Sequence, residues 1–223
     1  VNKARILSPK VKEEKKWVNV MALADNKSFM KIEARMEGNQ VKGHRSTILY
    51  GQEAVEYQAN EKHKQDSIVS APESNASQKN KLTVTNLKVK KQENDWALIE
   101  EEFDFVLQVN RTDNHLYINP MLFPQLKSNP FIQTERVLPI EFPYPYKFTM
   151  LSTLTLPEGY EVEELPQPQA IRSEGDGLQC KYMIQKQGNT ILLNYVFHLK
   201  GYIFLSEQYK QLQELWTKVI EKN

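Results

Sequence analysis

The chain has a single cysteine, Cys180, in 223 residues. An intramolecular disulfide is therefore impossible, and a zinc site built on several thiolates is excluded. Glycine is scarce, at 8 residues, and forms neither a phosphate loop nor a dinucleotide-binding turn. No serine sits in a nucleophile elbow. No sign of charge dominates, since 29 Lys and Arg stand against 28 Asp and Glu. A net charge of +1 gives no electrostatic reason to expect a nucleic acid as partner. No apolar run approaches the ~20 residues that a membrane-spanning helix needs. Residues 1–16 are too polar and too charged for a signal peptide, and the chain starts at Val1. Any targeting signal is thus expected upstream.

What the sequence does contain is alternation. Segment 17–24 is a short apolar run, 25–28 is turn chemistry, and Phe29, Ile32, Ala34 and Met36 continue to a turn at Gly38-Asn39. Segment 44–65 changes period. Ile48 and Val55 lie seven apart, as do Tyr50 and Tyr57, which predicts a helix. Residues 70–80 are a polar loop. Alternation returns at Leu82, Val84, Leu87 and Val89. After a turn at 92–95, it continues through 96–109, where Phe103, Phe105 and Leu107 face away from Glu102 and Asp104. The lysines of 79–91 read as the wet face of a strand. A turn at 111–114 and a strand at 115–119 follow.

Residues 120–168 hold 9 of the 11 prolines, interleaved with Phe123, Phe131, Phe142, Tyr144, Tyr146 and Phe148. Proline forbids helix interiors, and the rings call for a packed surface, so this is a structured connector rather than a loose linker. Strands are predicted over 146–156, 178–185 and 190–199. The last segment, 206–221, is a helix with Ser206 as N-cap and a stripe of Tyr209, Leu212, Trp216 and Val219. The expected fold is mainly β, an antiparallel sandwich-like architecture with one internal and one C-terminal helix. The expected division is a β-rich segment 1–136 with the internal helix at about 44–65, and a sandwich-like domain 137–223 closed by helix 206–221.

Candidate chemistry is sparse. Cys180 and His198 fall on strands expected to form a hairpin, where cross-strand neighbours can touch. A nucleophilic thiol needs a base and a positive field, and a strand interior offers neither, so a structural role is expected. His44, His63 and His115 share no metal-ligand spacing, and no metal or cofactor is expected. Glu100, Glu102 and Asp104 face one way on a strand and read as a solvated face, as do Glu163 and Glu164. Tyr144, Tyr146 and Tyr160 could stack on sugar rings if exposed, although core packing is the commoner fate of such rings.

One series of motifs is familiar. It runs Leu116-Tyr117-Ile118-Asn119-Pro120, Asn129-Pro130-Phe131, Arg136, Pro139-Ile140-Glu141-Phe142, Tyr144-Pro145, Leu156-Pro157-Glu158-Gly159-Tyr160 and Leu165-Pro166. With the closing Tyr209, Leu212 and Trp216 helix, it resembles the C-terminal region of certain bacterial multidomain proteins. Those carry an N-terminal β domain, a transglutaminase-like (papain-related) core, and a β-rich C-terminal domain of unknown function. The resemblance implies a periplasmic or cell-surface location, and catalytic chemistry upstream of Val1. It implies no catalytic residue here, and it makes the upstream core of the same polypeptide the expected partner. The chain is then a non-catalytic accessory module that positions that core or docks a partner. The alternative is a glycan- or peptide-binding β-sandwich module, with Tyr144, Tyr146 and Tyr160 as its surface.

Overall fold

A computed structural model describes residues 3–5, 17–19, 25–59, 82–92 and 95–222. Its strands are β1 (Lys3–Arg5), β2 (Trp17–Asn19), β3 (Lys27–Glu37), β4 (Gln40–Tyr50), β5 (Leu82–Gln92), β6 (Asp95–Gln108), β7 (Asn110–Thr112) and β8 (His115–Tyr117). They continue as β9 (Ile140–Glu141), β10 (Tyr146–Thr155), β11 (Gln169–Arg172), β12 (Leu178–Gln187), β13 (Thr190–Leu199) and β14 (Ile203–Phe204). Helix α1 (Gln52–Ala59) follows β4, and α2 (Tyr209–Ile220) closes the chain.

The protein is mainly β. Its principal sheet has the order β11-β12-β13-β10-β3-β4-β6-β5. Strands from both sides of residue 136 thus share one sheet. All its pairs are antiparallel except one, β10 with β3, which run parallel from Lys147↔Lys27 to Thr155↔Arg35. The sheet is therefore mixed but mainly antiparallel, as expected, with one parallel pair that the sequence did not announce. Alternation reports which face a residue takes but not the direction of its neighbour, and these two strands are joined by no hairpin.

One face of the sheet is buried. A single row runs Tyr182, Tyr195, Met150, Met30, Thr47, Glu101 across β12, β13, β10, β3, β4 and β6, and every one of these residues is buried. The covering layer is the connector and α2. Trp216 joins them: its ring stacks on Phe142 at 5.7 Å and meets Phe131 and Phe197 edge-on at 5.3 and 5.4 Å. Asn129 pins the connector to the helix, its Nδ2 donating to the Gln213 carbonyl and to Thr217 Oγ1, both at 2.9 Å. Its Oδ1 accepts from Phe131 N in a local turn. Gly43 lies where the Phe105 ring crosses β4; a Cβ there would sit 2.8 Å from that ring and 2.5 Å from the Glu33 carbonyl.

Several sequence expectations shift. The predicted helix at 44–65 is strand to Tyr50 and helix from Gln52 to Ala59; residues 60–65, like the loop at 70–80, lie outside the described residues. β2 pairs with β1 rather than with the strand after the 25–28 turn, and Lys27 and Ser28 already belong to β3. Ser206 does not cap α2. It opens a 3-10 turn over Ser206–Gln208, and the Gln208 side chain accepts from Leu205 N at 2.8 Å. The apolar stripe of the helix is as read, with Tyr209, Leu212, Trp216 and Val219 buried.

The Trp216 indole N–H is buried without a hydrogen-bond partner among the described residues. Its contribution is therefore packing. Trp216→Ala is expected to lower unfolding free energy by ~3–5 kcal/mol. Trp216→Phe, which removes an unpaired donor but keeps a ring, should cost much less. Denaturant melts of the two variants distinguish this from a polar role, in which both would fall alike.

Candidate functional site

The structure separates Cys180 from His198. Register places Gln179 opposite His198 and Cys180 opposite Phe197. Neighbouring residues on a strand point to opposite faces, so the thiol enters the buried core while the imidazole lies on the other side of the sheet. Burial pushes the thiol up to about 11, against a smaller lowering by a hydrogen bond with Tyr195. The His198 ring is held below its ordinary value, first by burial and then by Lys200 and Lys147. The thiol is thus held in its protonated form, on the opposite face of the sheet from His198, the base expected to activate it.

The three tyrosines do not form one platform. Tyr144 and Tyr146 meet edge to face at 6.4 Å, at the start of β10. The Tyr144 hydroxyl donates to Glu53 Oε1 of α1 at 3.0 Å. Tyr146 packs on Phe197 at 5.5 Å, and burial raises its phenol. Tyr160 lies past the far end of the ten-residue β10 and is 37% exposed.

Glu100, Glu102 and Asp104 share the open face of the sheet as expected, and each has a neighbour of opposite charge or a hydrogen-bond donor. Lys90 lies 3.9 Å from Glu100, Lys88 lies 3.0 Å from Glu102, and His44 Nδ1 lies 2.8 Å from Asp104. These are directly opposed cross-strand pairs. Asn86 also donates to Asp104 at 2.7 Å, and this bond, ahead of His44, holds the carboxyl below the usual range. His115 meets Glu163 at 3.1 Å. His63 lies outside the described residues. Among the described residues no group of His, Cys, Asp and Glu is arranged to hold a metal. On this open face Glu33, Arg35, Lys42, Asp104, Thr153 and Thr155 line a groove of about 540 Å³.

The sequence reading missed a polar cluster on the buried face. Glu101 shares the apolar side of β6 with Ile99 and Phe103, and its side chain is 4% exposed. Arg45, directly beside Phe103 in the register, donates through Nη2 to Glu101 Oε1. The Tyr57 hydroxyl of α1 donates to Oε2 at 2.6 Å. The guanidinium sits between two rings, 4.3 Å from the Phe103 centroid and 5.1 Å from Phe123. Burial lowers the Arg45 value, against the opposing pull of Glu101. The available signal was an acid in phase with Ile99, Phe103 and Phe105, because an acid on an apolar face demands a buried partner. A second cluster closes the turn before β12. There Asp176 accepts from Arg172 Nε at 2.6 Å, from Lys200 Nζ at 2.5 Å, and from Gln179. Arg172 first, then Lys200, hold its carboxyl well below the usual range.

Two predictions follow from these clusters. Glu101→Leu leaves the Arg45 charge buried without its partner and is expected to cost ~3–5 kcal/mol, whereas Arg45→Met with Glu101→Leu should recover most of that loss. Denaturant melts of the single and double variants read this coupling directly. The second prediction concerns pH. His198 and Asp176 both have folded values below their unfolded ones, so the unfolded chain binds each proton first and stability falls on acidification. For His198 the loss begins below about pH 6.5; for Asp176 it begins below about pH 4 and runs toward its folded value. His198→Gln should flatten the upper part of a plot of Tm against pH, and Asp176→Asn should shrink the lower part.

No curated protein and no solved structure matches the chain in comparison. A family model does, over the stretch that includes the connector, β10 to β14 and α2. Residues 113–223 match the family described as a Domain of Unknown Function, DUF3858, and that stretch carries a domain of this family.

Proposed function

We propose that the chain is a non-catalytic accessory module of a transglutaminase-like multidomain protein of the bacterial cell envelope, on its periplasmic or cell-surface side. It docks against the catalytic core upstream in the same polypeptide and positions it. The transglutaminase-like context rests on the motif series alone. The docking role is supported by one surface feature. Ile132, Val137 and Leu138 are 86%, 90% and 71% exposed, all on the connector. Ile203 and Leu205 are exposed beside them, because β14 pairs with β9 directly after Leu138-Pro139. That pairing brings Leu138, Ile203 and Leu205 together with Val137 next in sequence, and exposed aliphatic side chains grouped in such a strip suit a contact site. The position of Cys180 supports the absence of chemistry.

The test expresses this chain and the region preceding it as separate polypeptides and titrates one against the other by calorimetry. Binding is expected. Val137→Glu with Leu138→Glu should weaken it at least tenfold without changing the melting temperature of the chain. Unchanged binding in that variant would remove the strip from the proposal. Acyl-transfer or hydrolytic turnover by the isolated chain, abolished by Cys180→Ala, would overturn the non-catalytic reading altogether.

The second reading, a glycan- or peptide-binding module, is favoured by the polar groove on the open sheet face. Its hydroxyls, carboxylates and cations suit a hydroxyl-rich or zwitterionic ligand. Arg35→Ala and Thr153→Ala should abolish any glycan or peptide binding found by screening. Binding that depends on Tyr160 instead would place the site at the far end of β10.

A further inference from the structure

Helix α1 stands apart from the rest of the covered face. Its buried residues, Ala54 and Tyr57, form a small apolar cluster with Ile99, edged by Leu49 and Val89, separate from the main core. The main core is completed by the connector and α2. With 8 residues α1 is too short to persist in water on its own, and it carries no basic residue in its last turn to complement the helix dipole. Its persistence therefore depends on how it is attached.

Those attachments are largely polar. Gly51 N donates to the Ala97 carbonyl at 2.8 Å and Gln52 N donates to Asn26 Oδ1 at 2.9 Å. The Tyr57 hydroxyl reaches Glu101, and the Tyr144 hydroxyl reaches Glu53. Water can replace each of these bonds when the helix lifts, so each resists opening by only about a factor of ten. A pivot is also present. Gly51 has φ +62, a conformation that costs glycine nothing, and a Cβ there would lie 2.6 Å from Asn26 Oδ1. A hydrogen-bonded segment with few buried apolar contacts is the kind of unit that opens before the global transition.

We propose that α1 is a latch that opens as a unit while the sheet beneath it stays folded, uncovering Leu49, Val89 and Ile99 beside the Arg45–Glu101 pair. Closed, it hides an apolar row and seals a buried carboxylate. This goes beyond the accessory reading and does not depend on it.

Native-state hydrogen exchange of the whole chain, read by mass spectrometry, is the test. Amides of 52–59 are expected to exchange at least tenfold faster than those of β10 and β13, and as one group, at a rate that low denaturant raises with a shallower slope than that of the sheet. Tyr57→Phe removes one bond and leaves Glu101 Oε2 short of a donor. It should speed exchange of 52–59 by about tenfold and leave β10, β12 and β13 unaltered. Protection of 52–59 equal to that of the sheet overturns the latch, as does a Tyr57→Phe variant in which every segment accelerates by one factor.

Discussion

The parallel ladder between β3 and β10 is the constraint on which the structure depends. To one side lie β4, β6 and β5, joined by antiparallel pairs; to the other lie β13, β12 and β11, likewise. Only the β3–β10 pairing makes one sheet of them, and it joins residues some 120 positions apart. Closing a loop of that length costs entropy before any contact rewards it. The end of the ladder is reinforced where that cost is met. Asn26, just before β3, accepts from Lys147 N through its carbonyl at 3.1 Å, and its Nδ2 donates to the Pro145 carbonyl at 3.2 Å. Its Oδ1 also caps Gln52 N. One buried side chain thus fixes the entry of β3, the entry of β10 and the start of α1.

From that joint the packing follows. With the two blocks in register, apolar residues of seven strands line one face, and the proline-rich connector must cross it to bring the chain from β8 back to β10. Prolines suit this path because its backbone makes few ladder hydrogen bonds to lose. Rings fill the gap between connector and sheet, so Phe123 reaches Phe103 and Phe105 at one end while Phe131 and Phe142 reach Trp216 at the other. Arg45 is tolerated on this face because the same rings flank it and Glu101 neutralises it.

What was legible in the sequence divides along the same line. Some local pairings could be read, because the turn at 111–114 and the break between the runs 178–185 and 190–199 announce hairpins, and β7–β8 and β12–β13 pair accordingly. The β3–β4 hairpin across Gly38-Asn39 was not legible, since the segment after that turn reads as helix. Nor was the parallel joint, since alternation is blind to strand direction. The start of α1 was misplaced because Ile48 and Tyr50, on the strand, happen to stand seven residues before Val55 and Tyr57, on the helix. Gly51 between them was the better sign. The Cys180–His198 pair was weighed by its strands but settled only by register, where one residue decides the face. The tyrosines were named as a group because they share a composition, yet β10 runs between them.

The distribution of charge also limits where a protein partner can bind. Covering the open face would take Lys31–Glu33, Lys88–Glu102 and the His44–Asp104 pair out of water. Such pairs contribute little while solvated, but removing an ion from water costs several kcal/mol, which is repaid only when geometry is nearly ideal. A small polar ligand can replace that water atom for atom; the flat surface of another domain cannot. Burial of the strip of Val137, Leu138, Ile203 and Leu205 is favourable from the first contact, provided that the exposed Glu135, Arg136 and Glu141 beside them stay at the wet rim. The two surfaces therefore differ in kind: the open face carries solvated cross-strand ion pairs, whereas the strip is aliphatic with charges only at its margin.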